Sequence, residues 1–282
     1  MLGKLIKQEF RATGRLMAPL FGALLLLALV VRANDLVFRH VESHSAFLNI
    51  LNTLLIIAYV LALIGVMVFS TVLMIKRFHQ NFLTDEGYLM FTLPAGVHSL
   101  LWSKLITAAL FFIFTFLTEA LAVAIVVWQG GMASDIFRDI TDLLHQLDSY
   151  YMANGAAFAL EILALTFVAL LVTCLLFYAP MSIGYSFANH KGLLSVVFYF
   201  VIQAVLQICG VLVLAGIAGE GSVTNTILRS FYPNPLVIEG NPHAVVQVAH
   251  GAMLLTLLVE LAIGAVLYFL TYFMLRKHRN LQ

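Results

Sequence analysis

Six runs of this chain, roughly residues 15–32, 47–75, 105–128, 156–186, 193–218 and 249–275, stay apolar over the length of a bilayer crossing. A helix that crosses the ~30 Å hydrocarbon layer needs about 20 such residues. Hydrocarbon offers backbone N–H and C=O groups no partners except one another, so each run is read as a helix. Charged residues make up 10% of the chain, against about 25% in soluble domains. The connections leave no stretch long enough for a separate soluble domain. The expected fold class is therefore all-α, a six-transmembrane-helix polytopic bundle forming one domain over residues 1–282. The second and fourth runs are long enough to tilt or to project into water. Cations precede the first run, as in a signal peptide. Val30-Val31-Arg32 follows it in place of a small-residue cleavage pattern, so it is read as a retained helix.

Charge divides the loops into two sets. Lys4, Lys7, Arg11, Arg15, Lys76, Arg77, Lys104, Lys191, Arg276, Lys277 and Arg279 fall on one side, and only Arg32, Arg39, Arg138 and Arg229 on the other. The positive-inside rule then places both termini in the cytoplasm of a multi-pass plasma-membrane protein. A net charge of +1 gives no reason to expect nucleic acid as a partner. In residues 1–14, Leu2, Leu5, Ile6 and Phe10 share one helical face and Lys4, Lys7 and Arg11 the other. This predicts an interfacial helix on the inner leaflet, with membrane lipid as its partner. On the far side, Ile136, Ile140, Leu143, Leu144, Leu147 and Tyr151 recur at helical spacing within 129–155. Ser134 can start such an external helix and Asn154-Gly155 can end it. The 219–248 loop, with Pro233, Pro235 and Pro242, reads as a re-entrant hairpin or an ordinary surface loop. Cys174 and Cys209 lie in different apolar runs at unmatched depths and are read as packing residues, not a disulfide.

Glu119, Glu161 and Glu260 fall inside apolar runs, where each costs about 2.5–3.5 kcal/mol near the bilayer centre. By position in their runs all three are expected in the outer half of the membrane. Asn49, Asn52, Thr53 and Gln207 are placed at the same depth, and Tyr199, Gln203 and Gln207 form a stripe on the fifth run. Glu119, Glu161, Glu260, Gln203 and Gln207 are thus the candidate lining of a polar path for a cationic or amphipathic cargo. The other reading makes the carboxyls hydrogen-bonded locks between helices. His40 and His44 are too few to make a metal site, so no metal is expected, and His250 is read as an interfacial anchor. No GxxxxGK[ST] loop is present, so the chain has no means of its own to cradle ATP phosphates.

The connection between the second and third runs, 76–104, lies almost wholly in the stretch "RFHQNFLTDEGYLMFTLPAGVHSLLWSKL" (77–105). Gln80 to Glu86 can form two helical turns stopped by Gly87, and Ser99 can cap the next helix. Tyr88, Leu89 and Phe91 are costly to expose and must pack on the membrane, on other helix ends or on another protein. Asp85 and Glu86 are adjacent and do not face each other on a helix, so no acid–base pair, and no catalytic residue, is expected. This stretch resembles the first cytoplasmic loop of ABC-2-type transporter permeases, the membrane subunits of bacterial ABC exporters, especially the stand-alone six-span permeases of Gram-positive bacteria. Phe78, Asn81, Asp85, Glu86, Gly87, Tyr88, Leu89, Thr92, Leu93, Pro94, Ser103, Lys104 and Leu105 carry the likeness. "MSIGYSFANHKGLLSVV" (181–197) and the terminal "RKHRNLQ" are similar to the family's second cytoplasmic turn and C-terminus.

The resemblance implies a transporter subunit rather than an enzyme. It implies that residues of about 80–87 are a coupling helix seated in a cleft of a separate ABC ATP-binding subunit. Asn81, Thr84, Asp85, Glu86, Gly87, Tyr88 and Phe91 would then form the contact. ATP and Mg would be held by that partner, with no cofactor on this chain. A second permease copy or a related permease would complete the unit, and cargo such as a peptide would move outward. Two other functions stay open at the level of sequence. One is a proton-coupled secondary transporter using the intramembrane glutamates, which internal inverted repeats would favour, though the sequence shows none. The other is a non-transporting membrane sensor with a permease-like fold.

Overall fold

The computed structural model describes residues 2–39, 46–84, 96–128, 134–135, 138–142, 145, 155–187, 189–218 and 242–279. The regular structure in them is helical. Six long helices follow in order: α1 (Leu2–Arg39), α2 (Ala46–Leu83), α3 (Val97–Val127), α4 (Gly155–Gly184), α5 (Lys191–Ala218) and α6 (Pro242–Arg279). Each contains a window long and apolar enough to cross a membrane. Their outer faces carry side chains such as Leu160, Val266 and Phe200, 69%, 67% and 66% exposed. Apolar surface on this scale is stable only under lipid, and the chain is a multi-pass membrane protein.

The helices form two compact units, Met1–Met132 and Ala133–Gln282. In the first unit α1 and α3 run parallel. Glu9 meets Lys104, Phe10 packs on Phe111 with ring centroids 4.9 Å apart, and Gly14 lies against the same ring. Helix α2 runs antiparallel to α1: Arg77 bonds the Ala12 carbonyl near one end and Asn34 bonds Asn52 near the other. The centre is filled by Leu24, Ala28, Val31, Tyr59, Val66 and Ala122. Ala28 and Ala122 are fully buried, and small residues such as these let membrane helices approach closely. Nearer the N-terminal end Met17, Leu73 and Phe111 continue the core. The Ser70 and Thr115 hydroxyls, 3.0 Å apart, tie α2 to α3.

The second unit repeats this internal order. Helices α4 and α6 are parallel: Glu161 pairs with His250, Val172 lies against Gly264, and Ser186 reaches Met274. Helix α5 is antiparallel to α4, with Phe177 stacked on Tyr199 at 5.3 Å. Gly184 sits so close to α5 that a Cβ there would lie 2.7 Å from the Ser195 Cα. Between them the chain turns through Tyr185 N–H to Met181 C=O and Ser186 N–H to Ile183 C=O, both 3.0 Å. It re-enters helix after His190, whose φ is 53°.

Helix ends depart from the sequence reading. The expected separate helix over 1–14 is instead the first part of α1, continuous to Arg39 with Pro19 inside it, and Glu9 and Thr13 on that first part are buried. Helix α2 does not stop at the end of its apolar run but continues to Leu83, since Phe78 and Phe82 are 0% and 1% exposed. Helix α3 begins at Val97 with Gly96 as its cap, so Ser99, expected as the cap, lies inside the first turn. Pro242, assigned to the loop, starts α6; proline suits a first helical position, where its missing N–H has no partner to lose. Residues 138–142 of the expected external helix are helical and exposed. Ile136, Leu143, Leu144, Leu147, Tyr151, Asn154 and all of 219–241 lie outside the described residues. Cys174 and Cys209 are both free thiols.

Candidate functional site

The described residues on either side of the 85–95 segment form a tightly built frame. Phe78, Phe82, Leu100, Leu101 and Leu105 are all 0–1% exposed, and Phe78 and Phe82 pack at 5.2 Å. Into this apolar frame α1 brings a charge. Glu9, 9% exposed, pairs with Lys104, 3% exposed. Asn81 Nδ2 donates to the same carboxylate at 3.4 Å. Arg77 Nη2 donates to the Ala12 carbonyl at 2.7 Å. Each buried ion costs several kcal/mol to desolvate and is tolerable only while its partner stays. The pair therefore fixes α1 against the start of α3, and the Asn81 and Arg77 bonds fix it against the end of α2, the two helices that flank the 85–95 segment.

Because Glu9 turns inward, the opposite face of the same segment is cationic throughout. Lys4, Lys7, Arg11 and Arg15 line an open groove of about 370 Å³ with Gln8 and Ala12. Their spacing of three and four residues puts them on one helical face.

Two of the expected partner-contact residues can be placed. Asn81 is half-buried and turned to Glu9, so it braces the frame rather than facing outward. Thr84 is exposed, and its hydroxyl donates to the Gln80 carbonyl at 2.5 Å. Asp85, Glu86, Gly87, Tyr88 and Phe91 lie outside the described residues. Lys104, counted from sequence as a loop cation in water, is buried. Glu9 was not singled out from the sequence. The signal available was its being the lone acid among the cations of residues 1–15.

Of the candidate path residues, Glu119 belongs to the first unit, and Glu161, Glu260, Gln203 and Gln207 to the second. Glu161 Oε2 and Oε1 lie 2.7 and 2.9 Å from His250 Nδ1. The His250 ring packs on Phe158 at 4.1 Å. Glu260 is ten residues beyond His250 on α6, about 15 Å at 1.5 Å per residue, so Glu161 and Glu260 do not share a depth. His250, read from sequence as an anchor, is the hydrogen-bond partner of the Glu161 carboxyl. Oε1 of Glu119 and Oε2 of Glu260 are buried without a hydrogen-bond partner among the described residues. Gln203 Nε2 donates to the Tyr199 hydroxyl at 3.4 Å, while Gln207 is exposed. Asn52 is bonded to Asn34 at 2.7 Å, beside the Arg32–Asp35 pair at 3.2 Å. Asn52 of α2 therefore belongs to a polar cap at the end of the first unit. His40 and His44 lie outside the described residues.

No family model, no curated protein and no solved structure matches the chain.

Proposed function

We propose that this chain is the membrane permease subunit of an ATP-driven ABC-2-type exporter, moving an amphipathic or cationic cargo such as a peptide out of the cell. Both termini and the 85–95 segment face the cytoplasm in this reading, and a separate ABC ATP-binding subunit grips that segment. The sequence likeness around Asp85-Glu86-Gly87 supplies the family. The observation that carries the mechanical part is the frame at the base of the segment, where the Glu9–Lys104 pair joins α1 to α3 and the Asn81 and Arg77 bonds join α1 to α2. A segment set in so stiff a base passes a push to α1, α2 and α3 together, as packed elements that move as rigid bodies do. ATP closure would then shift the first unit as a body, and a second permease copy or a relative would complete the cargo path.

The test is purification of the tagged chain from native membranes in mild detergent. An ATP-binding subunit is expected to come with it, and Asp85→Lys with Glu86→Lys to lose that subunit while the chain stays in the membrane. Transport by the chain alone, with no ATPase present, refutes the proposal.

One observation favours a second reading, a proton-coupled secondary transporter. Both units have the same internal helix order, and transporters of that kind are often built from repeats. Transport that survives ATP depletion and stops when the proton gradient is collapsed would select it.

A further inference from the structure

The end of the first unit farthest from the N-terminus carries a groove that the transport reading does not use. It is about 330 Å³ and is lined by Leu121, Ala124, Ile125 and Trp128 with Arg32. Leu121, Ala124 and Ile125 of α3 and its C-cap Trp128 recur at three- and four-residue spacing, so they line one side of the helix end, about 10 Å long. Arg32 reaches in from α1. Its Nη1 donates to Asp35 Oδ2 at 3.2 Å, and the two side chains are 17% and 37% exposed. Next to them the Asn34–Asn52 bond holds the ends of α1 and α2 together. Leu121 and Trp128 are 52% and 47% exposed.

Depth gives these residues their meaning. Arg32 closes the apolar run of α1 and Trp128 closes that of α3, which places both at headgroup level, where tryptophan rings and snorkelling arginines settle. Below them the groove wall is apolar and faces hydrocarbon. Above it stand a cation and an anion side by side. A guanidinium has five N–H donors in a fork that suits phosphate oxygens, and Asp35 Oδ2 takes one of them. A carboxylate beside it disfavours a ligand that is only negative and favours one that also carries an ammonium. We infer that this groove is a binding site for one phospholipid with a primary-amine headgroup. Its phosphate lies on Arg32, its ammonium on Asp35, and a length of one acyl chain along Leu121, Ala124 and Ile125. The site is independent of the transport reading and stands whichever partner binds the other end.

The test is native mass spectrometry of the delipidated protein after exposure to vesicles of equal phosphatidylethanolamine and phosphatidylglycerol. The wild type is expected to retain one lipid and to prefer the amine-bearing one. Arg32→Gln should lower retention of both lipids about fivefold, the effect of one cation at a lipid phosphate, and Arg32→Lys should restore part of it. Asp35→Asn should abolish the preference without reducing phosphatidylglycerol. Ala124→Phe, which fills the groove, should remove the bound lipid while leaving thermal stability unchanged. Equal retention of both lipids by the wild type, or retention unaffected by Arg32→Gln and Ala124→Phe, means annular lipid only and overturns the inference.

Discussion

Replacing Lys104 with methionine tests the frame beneath the 85–95 segment. Methionine keeps the length and most of the volume of the lysine stem, so packing changes little and the charge is removed. Glu9, 9% exposed, is then left with Asn81 at 3.4 Å as its remaining hydrogen-bond donor from α2. Removing one member of a buried pair costs about 3–5 kcal/mol, because the other charge stays buried without compensation. Glu9→Met alone strands Lys104, 3% exposed, at a similar cost. The double variant strands neither charge, and apolar replacement of a buried pair is commonly neutral or stabilising. The double-mutant cycle, read by reversible unfolding in mixed micelles, should therefore give a coupling energy of about 3 kcal/mol or more between two sites in direct contact. Two single variants that each lose under about 1 kcal/mol, or whose effects simply add, would show that the pair is solvated and that α1 is not fastened to α2 and α3 at this point.

Other perturbations follow from contacts in both units. Gly184→Ala drives a Cβ into the Ser195 backbone and should cost about 1–3 kcal/mol by overpacking. Gly65→Ala, with nothing within 4 Å, should be neutral or stabilising by up to about 1 kcal/mol from helix propensity; thermal stability in detergent compares the two. His250→Phe keeps an aromatic ring on Phe158 but strips Glu161 of its partner. It should destabilise by about 1–3 kcal/mol, with Glu161→Gln in the same background recovering part of the loss. Thr115→Val removes the bond to Ser70 and should cost only about 0.6 kcal/mol, the mean for an interhelical hydrogen bond in a membrane.

The existence of the six helices was legible because hydrocarbon imposes one requirement, an unbroken apolar run of fixed length, that hydropathy reads directly. Their ends were not legible, because water-side ends are set by local packing. Phe78 and Phe82 hold α2 in helix to Leu83, and Pro242 opens α6 before its apolar run begins. The charged residues divided in the same way. Their cost in lipid marked Glu119, Glu161 and Glu260 as exceptional, but which partner each meets depends on interhelical register. Glu161 is answered by a histidine 89 residues away, which spacing within one helix cannot reveal. Lys104 looked like a solvent cation because it sits near a loop; its burial follows from Glu9 arriving on a different helix.

The permease reading stands or falls on what touches Asp85. A photoreactive amino acid placed at that position in the full-length chain, expressed in its native membrane and irradiated in intact cells, reports the contact directly. The expected product is a covalent adduct with an ATP-binding subunit, diminished when nucleotide is depleted. Adducts with lipid alone, or labelling of the same position by a membrane-impermeant reagent added outside the cell, would contradict it.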